Sequence, residues 1–202
     1  MKLYFTPGTC SLAPHIALRE AALTFGLEQV DLAARTTKGG KDFTKINPKG
    51  YVPALELDGG QILTEVAVIL QYVADAKPKA RLAPPAGTFE RYRVLEWLNF
   101  ISSELHKGFA PMFRPTTPDD YRKLSLENIA GRLGFVDRQL AGKDYLMGRP
   151  FTIADAYCFT IVRWSKMFDI DLQRWSNLEA FMARTGGRPQ VRAALEAEAV
   201  AE

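Results

Sequence analysis

What most constrains the fold of this chain is a change in its hydrophobic period part-way along. Up to about residue 75, short apolar runs of strand length alternate with helical stretches; from Thr88 on, the apolar residues follow a 3.6-residue repeat. Between the two regimes lies KPKARLAPPAG, rich in proline and without period, as a connection between packed units would be. The pattern predicts two domains, residues 1–80 and 88–202, joined by a linker at 81–87.

In the first domain, Lys2 to Thr6 reads as a strand, Pro14 to Ala22 as a helix with proline near its start, and Phe25 to Leu32 as a second strand. A Lys/Gly-rich loop at Lys38 to Lys41 leads to a weak helical segment, Asp42 to Asn47, and a break at Pro48-Lys49-Gly50. Ala54 to Leu57 and Gln61 to Leu63 then read as strands joined by Asp58-Gly59-Gly60, whose glycines suit a positive-φ turn, and Glu65 to Ala74 reads as a helix. The order βαβ then ββα describes a small sheet that needs a helical cover. The second domain is all helix: Thr88 to Phe113, Asp119 to Leu140, Ile153 to Met167, Ser176 to Arg184 and Pro189 to Ala197. Thr152-Ile153-Ala154-Asp155 matches a capping box, a structural device.

Composition narrows the function. A chain of 202 residues that is 47% hydrophobic can bury a substantial core, and a net charge of +3 without a Lys/Arg run gives no concentrated field for nucleic acid. The opening MKLYFTPGTC lacks the apolar stretch and cleavage site of a secretory signal, and no later run could span a bilayer, so a cytoplasmic protein with no membrane partner is expected. Cys10 and Cys158 lie too far apart to suggest a disulfide framework or a zinc site, and no metal is expected.

Four places could carry chemistry. Cys10 sits between the first strand and the first helix, where helix-start amides would stabilise a thiolate; it could equally be a small buried hydrophobe. Ala13 stands where a Cys-x-x-Cys protein has its second thiol, which leaves only a mixed disulfide with an external thiol. Ser11 could bond a neighbouring sulfur or cap the helix. Val52-Pro53 is either an ordinary trans proline opening an edge strand or a cis bond presenting the Val52 backbone to an extended peptide. Glu65, at a helix start with the amides of Val66 and Ala67, would complement an amino-acid head group or merely favour the helix dipole. On the long helix from Thr88, Leu98, Ile101, Leu105, Phe109 and Met112 form an apolar stripe, while Asn99, Ser103 and His106 form a second, polar one. Glu104 and Lys107 flank it. His106 could donate to a thiolate or lie on a solvated surface. His15 is expected to pack or cap, and Cys158 and the three tryptophans to pack.

Taken together, MKLYFTPGTCSLAPHIALREA, INPKGYVPALELDGG, LTE at Leu63 to Glu65, LNFISSELHK and FTIADAY resemble, in order and along nearly the whole chain, the cytosolic glutathione transferases of the bacterial beta class. The resemblance implies an α/β thioredoxin-like N-terminal domain, an all-α C-terminal domain and a homodimer. It places glutathione against Cys10, Ser11, Arg35, Tyr51, the backbone of Val52 before a cis Pro53, and Glu65 with Val66. His106 and Lys107 would line the sulfur side, and Asn99, Ser103 and Glu104 would meet glutathione held by a partner subunit. Cys10 and His106 are the implied catalytic pair, since Phe5 stands near the place where other classes carry a catalytic tyrosine. Arg35 replaces a common lysine, and Val66 replaces a small or hydroxylated residue, leaving only its backbone to bind. The implied activity is conjugation of the glutathione thiolate to a small electrophile; thiol exchange or peroxide reduction through Cys10, with glutathione held as a mixed disulfide, is the rival chemistry. A non-catalytic binder of apolar compounds is the third possibility.

Overall fold

The computed structural model describes residues 1–199; the last three residues of the expected 88–202 domain lie outside the described residues. The elements in chain order are β1 (Lys2–Phe5), α1 (Leu12–Glu20), β2 (Gly26–Asp31), β3 (Thr36–Thr37), β4 (Ala54–Glu56), β5 (Ile62–Thr64), α2 (Val66–Ala76), α3 (Phe89–Phe100), α4 (Lys107–Phe109), α5 (Asp119–Leu140), α6 (Ile153–Val162), α7 (Ser176–Gly186) and α8 (Pro189–Ala199). The strands form one sheet in the order β3-β2-β1-β4-β5. β1 runs parallel to β2 and antiparallel to β4, with Tyr4 opposite Ala54 and Lys2 opposite Glu56. Leu3, Tyr4 and Phe5 are all buried, as a central strand covered on both faces requires. One face carries the cluster Tyr4, Val30, Phe43, Val52 and Ala54. α1 and α2 pack on each other, and α8 packs on α1.

The hairpin between β4 and β5 closes as the sequence predicts, though only Gly60 of its two glycines takes a positive φ, at 80°. The Asp42–Asn47 segment is a single 3-10 turn, Phe43–Lys45, capped by Asp42.

By their contacts the residues group into Met1–Ala83 with α8, and Pro84–Gly187. This differs from the expected 88–202 helical domain. The reason is in the side chains of α8: Arg188, just before it, makes a two-pronged pair with Glu20 at 2.7 and 2.8 Å, and Glu198 near its end meets His15 at 3.0 Å. Both partners belong to α1, so the terminal helix completes the N-terminal unit.

In the unit Pro84–Gly187, Thr88 caps α3 by accepting from the Arg91 amide at 3.2 Å. The expected single helix from Thr88 to Phe113 is broken into α3, a π-helical stretch at Ile101–His106, α4 and a 3-10 turn at Ala110–Phe113. Pro111, which lacks an amide hydrogen, falls in that last turn. The predicted apolar stripe from Leu98 to Met112 is nevertheless buried throughout. α6 likewise stops at Val162 and continues to Phe168 as a 3-10 helix. The capping box at its start is formed: the buried Asp155 carboxylate accepts from the amides of Leu146 (2.8 Å) and Thr152 (2.7 Å) and from the Thr152 hydroxyl (2.8 Å).

Candidate functional site

Three segments of the N-terminal unit are tied together by side chains beyond the end of β1. The first is the turn Thr6 to Ser11. Ser11 is wholly buried; its hydroxyl donates to the Thr6 carbonyl at 3.1 Å and accepts from the Thr6 amide at 3.2 Å. It does not cap α1; its hydroxyl is taken up within the turn by Thr6 and Thr9. Cys10 is buried beside it, and its Sγ donates to the Val52 carbonyl at 3.5 Å.

Of the two readings open at Cys10, a thiolate at a helix start or a small buried thiol, this geometry favours the second. The nearby amides are already taken: Ser11 N bonds Thr9 Oγ1 at 3.3 Å, Leu12 N bonds the Thr9 carbonyl at 3.3 Å, and Ala13 N bonds the Cys10 carbonyl at 3.2 Å. Burial pushes the Cys10 thiol up to about 12, outweighing a backbone donor that works the other way, and the Glu65 and Glu198 carboxylates add to the rise. Burial thus favours the neutral thiol over the thiolate.

The second segment runs from Asn47 to Pro53. Asn47 is buried and clamps the loop by donating from Nδ2 to the Tyr51 carbonyl at 2.7 Å. The Val52-Pro53 bond is cis, as the resemblance implied. The third segment is the start of α2. Glu65 adopts φ 71°, a conformation that favours glycine, and its carboxylate accepts from Tyr51 Oη at 2.9 Å and pairs with Lys49 Nζ, which also donates to Thr64 Oγ1 at 3.0 Å. Burial, then the bond to Glu65, raises the Tyr51 phenol above its ordinary value. The Val66 side chain is buried, so what it offers outward is its amide, which with that of Ala67 has no acceptor within the helix. Arg35 is exposed at φ 56° in the turn between β2 and β3, where its carbonyl receives the Phe43 amide at 2.9 Å.

Tyr4 is no substitute for the tyrosine that Phe5 displaces. Its ring lies against Phe43, and its hydroxyl donates to Glu56 at 2.6 Å; burial and that carboxylate hold the phenol protonated well above its usual range.

In the C-terminal unit, His106 closes the π-helical stretch. Its Nδ1 lies 2.7 Å from Tyr157 Oη, and its ring meets Trp164 edge-on at 5.1 Å between centroids. π-helical turns gather at functional sites. Asn99 and Ser103 are exposed and linked through a bond from Ser103 Oγ to the Asn99 carbonyl at 3.0 Å; Glu104 pairs with Arg132 at 2.8 Å, and Lys107 is exposed. Sequence reasoning did not single out Lys49, which lay in a segment read only as a break, or Tyr157, one aromatic among many in an apolar helix. Among the described residues, no His/Cys/Asp/Glu group could hold a metal ion and no helix is long and apolar enough to cross a membrane.

A thioredoxin-like α/β unit with a cysteine after its first strand, followed by a helical unit, defines a class that comparison identifies. The N-terminal domain of glutathione S-transferases matches residues 8–76 and the C-terminal domain residues 100–189. The chain belongs to the glutathione S-transferase family. It is 46% identical to glutathione S-transferase GstA of Escherichia coli O157:H7 over 98% of both chains. Among solved structures it resembles a ternary complex of BphK, a bacterial GST, with 52% identity and a TM-score of 0.97 over 98% of this chain and all of that one. It also resembles the beta class enzyme of Sphingomonas chungbukensis, with 46% identity and a TM-score of 0.95 over 98% of each. A sphingomonad glutathione S-transferase complexed with glutathione is 45% identical, with a TM-score of 0.96 over 99% of this chain and all of that one.

Proposed function

We propose that this chain is a glutathione transferase that conjugates the glutathione thiolate to small, largely apolar electrophiles. The observation that carries the reading is the linkage of three complementary groups in one unit: the Glu65 carboxylate with the first amides of α2, the Val52 backbone, and the Cys10 sulfur. Tyr51 joins the first to the second, and the Cys10 thiol joins the second to the third. These suit, in turn, an amino-acid head group, an extended peptide and a thiol. The ligand's ammonium competes with Lys49 for Glu65, and its head-group carboxylate takes the helix-start amides. Arg35 supplies a cation for the other carboxylate.

The protonated state of Cys10 decides its part in the chemistry. Burial and the nearby carboxylates favour the protonated thiol at neutral pH. It serves as an S–H donor, moving from the Val52 carbonyl to the glutathione sulfur and stabilising that sulfur's negative charge. His106, oriented by Tyr157, supplies a further donor, and Lys107 a positive charge. Thiol exchange would instead need the Cys10 thiolate to attack a disulfide, forming a mixed disulfide and expelling the second thiolate.

The same proposal includes a cytoplasmic detoxifying role and a homodimer in which Asn99, Ser103 and Glu104 meet the partner's glutathione. Calorimetric titration with glutathione, turnover of a chromogenic aryl halide and intact mass with and without reductant test it. Glu65→Gln is expected to raise KM for glutathione, and Cys10→Ala to keep measurable conjugation. A wild type that neither binds glutathione nor conjugates it would refute the reading. A Cys10→Ala variant that loses all turnover would move the chemistry to Cys10 itself.

A further inference from the structure

The carboxylate that meets the head group of the ligand already holds an ammonium. Lys49 Nζ lies 2.5 Å from Glu65 Oε1 and donates to Thr64 Oγ1 at 3.0 Å, so one cation spans the end of β5 and the start of α2. Tyr51 Oη donates to the same Glu65 oxygen at 2.9 Å. The loop that carries both donors is fixed from within: Asn47 Oδ1 accepts from the Lys49 amide at 3.2 Å, and Asn47 Nδ2 donates to the Tyr51 carbonyl at 2.7 Å. Glu65, at φ 71°, stands in a backbone region that side chains seldom enter, and its carboxylate is tethered there by these two donors. The side chains of Lys49 and Glu65 are 45% and 50% exposed, so an entering ligand can reach both.

We propose that Lys49 stands in for the ligand's own ammonium and so sets the selectivity of this site, which also accepts a thiol tripeptide that has no amine. The inference rests on the reading of Glu65 as the partner of the glutathione head group. The lysine ammonium and an α-ammonium carry the same charge and the same three donors. Glutathione therefore brings to Glu65 a group that is already present: its ammonium displaces Lys49 or meets a like charge beside the same carboxylate, and part of the gain is lost. The bond to Glu65 also holds the Lys49 ammonium above its ordinary value, so the lysine stays charged. A tripeptide without the amine leaves Lys49 in place, and its head-group carboxylate enters beside a Glu65 charge that the lysine offsets. With Lys49 removed, that ligand would set one carboxylate against another, while glutathione would bring the only ammonium of the two. Lys49 thus lowers the worth of the amine. The exposure of both partners keeps each effect within about fivefold.

The test compares glutathione with glutaryl-cysteinyl-glycine, which is glutathione without its amine. Both are titrated calorimetrically into the full chain, the analogue by competition with glutathione, and the quantity read is the ratio of the analogue's Kd to that of glutathione. Lys49→Met is expected to raise this ratio about threefold to tenfold over wild type, by tightening glutathione, weakening the analogue, or both. Lys49→Arg keeps a cation and should hold the ratio within about twofold of wild type. A general loosening of the loop weakens both tripeptides together and leaves the ratio in place, so the ratio separates the charge from the fold. An unchanged or lower ratio in Lys49→Met would overturn the proposal, as would an equal rise in Lys49→Arg. A wild type that binds glutathione while the ratio fails to move brings down this inference alone. One that binds neither tripeptide brings down the glutathione site as well.

Discussion

Replacing Asp155 by alanine should cost this protein a large share of its stability, and the structure allows the cost to be worked out. The carboxylate is fully buried and accepts from two buried backbone amides, those of Leu146 and Thr152, and from the Thr152 hydroxyl. The hydroxyl can rotate to another acceptor, whereas the amides cannot. A buried donor left without a partner costs about 1–3 kcal/mol, so two cost about 2–6 kcal/mol. The substitution also relieves the burial of a carboxyl group, which brings the expectation to about 2–4 kcal/mol. Urea unfolding at pH 7.5, read as the change in midpoint at constant slope, measures this. A loss under about 1 kcal/mol would show that the box is not holding those amides. The pH dependence gives a second check. Burial raises the carboxyl from 3.8 to about 6 in the folded chain, against the hydrogen bonds from Leu146, Thr152 and its own amide. The folded state therefore binds the proton more tightly than the unfolded state, and this contribution to stability is complete below about pH 4 and lost as pH rises through 6. Asp155→Asn should abolish that slope. A slope unchanged in the variant would assign it to other groups.

Tyr157→Phe removes the hydroxyl that orients His106, and should lower kcat for conjugation several-fold while leaving KM for glutathione nearly unchanged; a change in KM alone would show that His106 needs no such support. A double-mutant cycle on Glu20 and Arg188, measured by urea unfolding, should give a coupling of about 1–2 kcal/mol, because the pair is two-pronged and largely buried; coupling near zero would mean that α8 is held by its apolar face and the His15–Glu198 contact without help from this pair. Cys158 is fully buried and its thiol is pushed far above the ordinary range by burial and by Asp155, so iodoacetamide should modify it only after unfolding, which peptide mapping would reveal.

Much of the fold could be read from local pattern, and what escaped did so for physical reasons. The long period of α5 and the hairpin at Gly60 are signals contained within their own segments. β3 has two residues, too few to show any alternation. The π-helical stretch keeps its apolar residues buried while changing the turn beneath them, so the stripe that revealed the helix could not reveal its break. At the site, Cys10, the cis Pro53 and Glu65 stood at element boundaries, where sequence is most informative. The charge state of Cys10 did not follow, because a dipole argument sees neighbouring amides but neither their other acceptors nor the burial of the sulfur. His15 was expected to pack or cap; it packs, and its pairing with Glu198, 183 positions away, leaves no trace in either segment.

The return of α8 to α1 also governs the order in which this molecule can be made. The N-terminal unit leaves the ribosome first, yet the helix that buries His15 belongs to residues 189–199. Until those residues emerge, α1 must wait with its histidine bonded only to Arg19 and with an open flank while the whole helical unit is synthesised between them. A stop codon shortly after Gly187 would therefore spare the complete helical unit and cripple the unit more than a hundred residues upstream.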